Sequence, residues 1–205
     1  MSVPDPIAPR RLRCATCALP ERTCVCTLVT PVRNDVDVLV LQHPDEQHEA
    51  KNSARLLRLS LSRCRVVVGE TFSPEELLAL LDGDVSGVVL LYPSDTSPSI
   101  PRSSDALPTR LVVLDGTWRK SLRMLHANPL LQSLPRWDIP SATPSRYAAL
   151  RKARLPSQLS TLEAACAALA DIEQAPARYA PLLDAFDRFV ADRASRGRES
   201  EGWPK

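Results

Sequence analysis

The sequence is poor in long apolar runs, in lysine and in glycine. No apolar run approaches the length needed to cross a bilayer, which argues against a helical membrane protein. The basic residues near the amino terminus are followed by no apolar segment, so we expect no secretory signal and a cytoplasmic protein. In that compartment cysteines are thiols or metal ligands rather than disulfides.

Lysine supplies only four of the 26 basic residues, and arginine supplies the rest. Arginine forms paired hydrogen bonds with phosphates and stacks on bases, although a GC-rich genome would produce the same bias. The formal net charge of +2 argues against a protein that wraps a polyanion through total charge alone. The six glycines never approach the G-x-G-x-x-G pattern, so the dinucleotide fingerprint is absent.

The apolar pattern after residue 30 alternates between strands and helices and predicts an α/β fold with a mostly parallel sheet flanked by helices. Four continuous, largely β-branched runs predict strands at Val36–Gln42, Arg65–Gly69, Gly87–Tyr92 and Arg110–Asp115. Helices are predicted at 49–63, 74–82, 117–126, 160–172 and 177–195. Two of them begin with capping boxes, Ser73 with Glu76 and Ser160 with Glu163.

We divide the chain into a tail at 1–13, a zinc-binding module at 14–30, a catalytic domain at 31–195 and a second tail at 196–205. A proline- and serine-rich loop covers 93–108. Polar turns follow three predicted strands, at 42–44, 91–94 and 115–117. Because ligands of open α/β sheets bind beyond the carboxyl ends of the strands, we expect these turns to converge on one crevice.

The amino-terminal part contains a C-x2-C-x6-C-x-C cluster formed by Cys14, Cys17, Cys24 and Cys26. Two closely spaced cysteine pairs suit a tetrahedral zinc ion, and a closed four-cysteine site is structural rather than catalytic. A redox pair is the main alternative. Cys64 and Cys166 lie in apolar surroundings and are predicted to be small buried side chains.

The segment LVVLDGTW, from Leu111 to Trp118, ends a strand on the carboxylate of Asp115. A phosphate-accepting aspartate usually requires a second carboxylate two positions later, where this chain has Thr117. Asp115 would otherwise be a general base or a charge-stabilising group, with Trp118 as a stacking surface. A purely structural interpretation makes Asp115 or Thr117 a helix cap and places Trp118 in the core.

Five motifs together resemble the DTW-domain family of tRNA-uridine aminocarboxypropyltransferases. They are the cysteine cluster, Gln42-His43-Pro44-x-Glu46, Leu91-Tyr92-Pro93-Ser94, Asp115-Gly116-Thr117-Trp118, and Tyr147-x-x-Leu150-Arg151 followed by Leu159-Ser160-Thr161-Leu162-Glu163-Ala164. The resemblance implies transfer of the 3-amino-3-carboxypropyl group of S-adenosylmethionine to N3 of a tRNA uridine, giving acp3U and methylthioadenosine. It also implies a SPOUT-like fold, with or without a knot.

The resemblance also implies the site residues. Asp115, Thr117 and Trp118 would be catalytic, with Thr117 orienting Asp115. S-adenosylmethionine would contact Leu91, Tyr92, Pro93, Ser94, Leu114, Leu159, Ser160 and Thr161. Ser160 and Thr161 begin a predicted helix, and their free backbone N–H groups would bind the methionine carboxylate. The tRNA would contact His43, Lys51, Arg55, Arg119, Lys120, Arg123, Arg146 and Arg151.

Three other functions stay open at this point. A zinc-bearing RNA-binding protein would bind tRNA without using S-adenosylmethionine. A SPOUT-type methyltransferase would release S-adenosylhomocysteine, and an Asp115 phosphotransferase would need magnesium. The sequence does not indicate which uridine is modified or whether the protein oligomerises.

Overall fold

The computed structural model describes residues 12–49, 51–93, 107–139 and 159–201, with side chains as far as 196. Five strands are present in these ranges: β1 Asp37–Gln42, β2 Cys64–Val68, β3 Val88–Leu91, β4 Arg110–Asp115 and β5 Arg136–Trp137. The helices are α1 Ala54–Ser60, α2 Pro74–Leu80, α3 Trp118–Ala127, α4 Pro129–Ser133, α5 Thr161–Ile172 and α6 Pro176–Glu201. Short 3-10 turns lie at Glu21–Thr23, Cys26–Leu28 and Pro44–Glu46.

The strands form one sheet in the order β2-β1-β4-β3-β5, and every pairing is parallel. The prediction of an α/β protein with a parallel sheet is therefore confirmed. The order places β4 between β1 and β3, with Gln42 of β1 in register with Asp115 of β4. The SPOUT relationship stays a prediction.

Both faces of the sheet are covered, because alternate residues of each strand point to opposite sides. Val38 and Val40 pack in the same cluster as residues of α1, α5 and α6. Leu39 and Leu41 pack in a second cluster with residues of α2, α3 and α4. This two-sided burial explains why the strands are nearly continuous apolar runs rather than alternating ones.

Several predicted elements differ in length from those observed. The helix predicted at 49–63 is helical only at Ala54–Ser60, since Ser53 precedes its first turn and Leu61 is already extended. Neither α4 nor β5 was predicted. α4 has five residues and β5 only two, too few for a periodic apolar pattern to be recognised. Both predicted capping boxes are present.

The cysteine cluster packs directly on the α/β fold. Cys17, Leu19 and Val25 are buried in the same apolar cluster as α5 and α6. The Arg193 guanidinium donates to the carbonyl of Thr23 at 2.6 Å. The predicted zinc module and catalytic domain thus share a core, while the proposed division of the chain stays a prediction. In the described ranges, no helix combines the length and apolarity needed to cross a membrane.

Candidate active site

The strongest candidate for a site lies where β1 and β4 end side by side. After β1 the chain continues to β2 on one side of this pair, and after β4 it continues to β5 on the other side, beyond β3. A parallel sheet opens a crevice at such a point, beyond the carboxyl ends of its strands. Gln42 and Asp115 are the last residues of the two strands, so their side chains are held at this crevice by the sheet itself.

Asp115 is almost fully buried, at 4% exposure, and accepts three side-chain hydrogen bonds. Gln42 Nε2 and Asn52 Nδ2 donate to its Oδ2 at 2.7 and 2.6 Å, and Thr161 Oγ1 donates to its Oδ1 at 2.5 Å. Asn52 is itself fixed, because its Oδ1 accepts from the Ala54 N–H at 2.9 Å. The carboxylate is therefore held by β1, by the turn before α1 and by the first residue of α5.

Thr117 was predicted to orient Asp115, but its side chain has a hydrogen bond to a different residue. Its hydroxyl accepts instead from the Lys120 N–H at 3.4 Å and caps α3. The helix therefore begins at Trp118, with Gly116 and Thr117 between it and Asp115. The structural interpretation is right for Thr117 as a cap, whereas Asp115 does not cap α3.

Trp118 is exposed at 55% and lies at the rim of the crevice, not in the core. Its ring stacks on Tyr92, with centroids 5.2 Å apart and planes inclined by 15°. The guanidinium of buried Arg136 lies 5.8 Å from the centroid of the same Tyr92 ring. Burial lowers the pKa of Arg136 from its ordinary value. Tyr92 and Arg136 thus support Trp118, whose exposed surface is available to a planar ligand.

Near the crevice, basic side chains lie close to acidic ones. His43 is buried, with Nδ1 accepting from the Asp45 N–H at 3.2 Å and Nε2 lying 3.5 Å from a Glu70 carboxylate oxygen. Lys120 Nζ lies 2.8 Å from Glu46 and 3.3 Å from Asp45. Hydrogen bonding to Glu46 raises the pKa of Lys120. Arg123 pairs with Glu70.

The predicted tRNA contacts consequently differ in their surroundings. His43 is buried, and Lys120 and Arg123 already have acidic partners. The half-buried Arg55 donates to the carbonyls of Cys17 and Gln47, linking α1 to the cysteine cluster. Arg119 and Lys51 are exposed. Arg146 and Arg151 lie outside the described residues.

Several N–H groups at the start of α5, which was predicted to bind the carboxylate of S-adenosylmethionine, have partners within the protein. The Ser160 N–H donates to Glu163 at 2.7 Å and the Glu163 N–H donates to Ser160 Oγ at 3.2 Å. The Leu162 N–H donates to Ser53 Oγ at 3.3 Å. Thr161 uses its hydroxyl on Asp115. Most donors of this helix end are therefore occupied within the protein.

The other residues predicted to contact S-adenosylmethionine lie near the carboxyl edge of the sheet. Leu114 is buried, Leu91 and Leu159 are partly buried, and Pro93 is exposed. Ser94 falls outside the described residues. Leu91, Tyr92 and Leu114, at the ends of β3 and β4, and Thr161, at the start of α5, thus lie at one end of the fold, and their contact with S-adenosylmethionine stays a prediction.

The four sulfur atoms of the cysteine cluster lie within 4.8 Å of one another. Two Sγ pairs, Cys14 with Cys26 and Cys17 with Cys24, are each 3.6 Å apart. Tetrahedral zinc with Zn–S bonds of about 2.3 Å requires S–S separations of about 3.8 Å, whereas a disulfide requires about 2 Å. The arrangement fits a metal ion. Hydrogen bonds from the Cys17 and Thr16 backbone lower the pKa of Cys14 to about 6.

The two other cysteines have no such environment. Burial raises the pKa of both Cys64 and Cys166 to about 12. A thiol is unreactive until it is ionised, so neither side chain is set up as a nucleophile. Both cysteines pack against or within the apolar core, as predicted, and Cys64 remains partly exposed.

Sequence reasoning missed the residues that hold Asp115. Gln42 was noted as a strand end and as part of a motif but not as a partner of Asp115, and Asn52 was not noted. Gln42 ends a strand adjacent to β4, which is a recognisable signal once the strand order is known. Asn52 has only a local signal, because an asparagine two residues before a helix start is typical of a turn.

Comparison with known proteins identifies the family of the chain. A family model described as "DTW domain" matches residues 11–194. The protein named "tRNA-uridine aminocarboxypropyltransferase 2" from Drosophila melanogaster is 31% identical over 176 residues, covering 82% of this chain and 69% of the relative. Proteins of the same name from Mus musculus and Macaca fascicularis are 30% and 28% identical, again over 82% of this chain.

The chain spans 58% of the length of the mouse and macaque relatives. No solved structure matches the chain. Since the match to the family model runs from just before the cysteine cluster to α6 and includes the whole described sheet, the chain belongs to the DTW-domain family.

Proposed function

We propose that this chain transfers the 3-amino-3-carboxypropyl group of S-adenosylmethionine to N3 of a tRNA uridine. The observation that carries the proposal is the position of the Asp115–Trp118 motif, at the carboxyl edge of a parallel sheet in a chain whose relatives bear the name of this activity. This edge is where α/β proteins bind nucleotide-like ligands.

The reaction forms one bond and breaks another. Uridine N3 bonds to the γ-carbon of the methionine part of the donor, and the bond from that carbon to sulfur breaks. The sulfur keeps the electron pair and leaves as neutral methylthioadenosine, while the N3 proton passes to solvent or a base. Three carbons on the sulfonium are electrophilic, so the position of the donor determines which one reacts.

Trp118 is the residue we assign to the uridine base. Its ring is exposed, its orientation is fixed by Tyr92, and base–aromatic stacking is a common way to hold an unpaired nucleotide. Arg119 follows it, also exposed, and would contact a tRNA phosphate. We place the donor on the opposite side of this crevice, near Asp115, Leu114 and Thr161.

We further propose that Cys14, Cys17, Cys24 and Cys26 hold a structural zinc ion. The ion would fix the ligand-bearing turns against α1 and α6 and take no part in the reaction, since all four coordination positions are filled by protein. Metal analysis of the purified protein should find about one zinc per chain, and Cys24→Ser should lose it. Cys64→Ser, outside the cluster, should retain it.

The activity is tested by incubating the protein with unmodified bulk tRNA and S-adenosylmethionine, followed by mass spectrometry of nucleosides and small products. Formation of acp3U with methylthioadenosine supports the proposal. Methylated uridine with S-adenosylhomocysteine would identify a methyltransferase instead. Salt-dependent tRNA binding without consumption of the donor would identify a binding protein.

A further inference from the structure

Asp115 is a buried carboxylate with no compensating positive charge among the described residues. Its three described side-chain partners, Gln42, Asn52 and Thr161, are neutral hydrogen-bond donors. An ionised aspartate can only accept hydrogen bonds, and this arrangement of donors matches that form. Burying a charge without an opposite charge is costly, so proteins seldom retain one without a use.

Of the three arginine and lysine side chains on α3, Arg119 is exposed, and the other two are paired with acids other than Asp115. Lys120 contacts Glu46 and Asp45, and Arg123 contacts Glu70. His43 donates its backbone N–H to the Asp115 carbonyl at 2.9 Å, but its imidazole lies against Glu70. Within the described ranges, therefore, no side chain at the rim neutralises Asp115, and its carboxylate suits a positively charged ligand.

The same geometry is unsuited to a general base. A base must reach the proton that it removes and must have an accessible lone pair for it. Asp115 is 4% exposed, and both of its oxygens already accept hydrogen bonds. Three of the about four acceptor positions of the carboxylate are filled by protein donors, which leaves little access for a substrate proton.

We propose that Asp115 is a fixed anion that recognises the positively charged part of the donor, and that Gln42 and Asn52 are the residues that position it. This inference rests on the proposed function, because S-adenosylmethionine carries both a sulfonium and an ammonium group. The N3 proton of uridine then passes to solvent rather than to Asp115. If the recognised cation is the sulfonium, the attraction disappears when sulfur becomes a neutral thioether, which favours release of methylthioadenosine.

The test measures the binding of three ligands by calorimetry to wild-type protein and to Asp115→Asn. S-adenosylmethionine carries both cations, S-adenosylhomocysteine carries only the ammonium, and methylthioadenosine carries neither. Asp115→Asn should weaken S-adenosylmethionine binding at least tenfold and change methylthioadenosine binding less than twofold. Asp84→Asn removes an equal charge from an exposed position and should change neither.

The effect of Asp115→Asn on S-adenosylhomocysteine binding shows which cation of the donor Asp115 recognises. Equal weakening of both charged ligands assigns the ammonium, and weakening of S-adenosylmethionine alone assigns the sulfonium; either result supports the proposal. Equal weakening of methylthioadenosine would overturn it, because shape rather than charge would then be lost. Unchanged S-adenosylmethionine binding with loss of turnover would also overturn it and would restore the general-base role.

Asn52→Ala tests the positioning role separately. It should lower the ratio of S-adenosylmethionine to methylthioadenosine affinity about threefold to tenfold, with Asn52→Gln restoring part of this ratio. A merely structural role would weaken both ligands together and leave the ratio unchanged, which would contradict the inference. Formation of acp3U by the wild-type protein is measured separately from ligand binding. Failure of the proposed function can therefore be distinguished from failure of this inference.

Discussion

Two aspartates at opposite ends of the same pair of strands have opposite electrostatic surroundings. Asp37 begins β1 at the amino edge, where Arg63 Nε and Nη2 contact it at 2.6 and 2.8 Å and Arg110 lies 3.5 Å away. Asp115 ends β4 at the carboxyl edge and has neutral donors only, among the described residues. A carboxylate with its own cations contributes to the fold, whereas one without them is available to a charged ligand.

The largest difference between the two edges is expected when each aspartate is neutralised in turn. Asp115→Asn should reduce kcat/KM at limiting S-adenosylmethionine about tenfold or more, because weaker binding of the donor lowers kcat/KM by a similar factor. Asp37→Asn should change it less than twofold. The measurement is methylthioadenosine release with saturating tRNA. Comparable losses in the two variants would show that the two edges do not differ in function.

The exposed apolar residues of the two edges offer a second test. Trp118 at the carboxyl edge and Val85 at the amino edge are exposed at 55% and 40%. Trp118→Ala should reduce kcat/KM for tRNA about tenfold, because stacking on one base contributes about 1–3 kcal/mol. Trp118→Phe should recover most of it, and Val85→Ala should have no effect. Steady-state kinetics with varied tRNA distinguishes these outcomes.

The sequence predicted the strand that ends at Asp115 and the start of α5, but not the hydrogen bonds that Asp115 accepts. Asp115 was recognised because a continuous β-branched run ends on it, and the start of α5 because a capping box is a local pattern. The partners of Asp115 come from positions 42, 52 and 161, which only the fold brings together. The acid partners of Lys120 and Arg123 are equally non-local, so no local pattern indicates them.

An arginine at each edge of the sheet allows the two edges to be compared in tRNA binding. Arg119 at the carboxyl edge should contact a phosphate, so Arg119→Ala is expected to weaken tRNA binding about threefold. It should also reduce the slope of log affinity against log salt by about one, as loss of one phosphate contact does. Arg33, which precedes β1 at the amino edge, is the matched control, and Arg33→Ala should leave the slope unchanged. Filter binding at several salt concentrations measures both quantities.

The smallest expected effect concerns stability at the amino edge. Hydrogen bonding from Arg63 lowers the pKa of Asp37 below its ordinary value of 3.8. A lowered carboxyl pKa stabilises the folded state at pH values above the unfolded pKa, and this stabilisation is lost as pH falls through the lower, folded pKa. Asp37→Asn should therefore reduce the free energy of unfolding by about 0.5–1 kcal/mol at pH 7, with the difference from wild type shrinking below pH 3.8. Urea denaturation across pH tests this, and a difference that persisted at the acid end would show that Asp37 stabilises the fold through packing rather than charge.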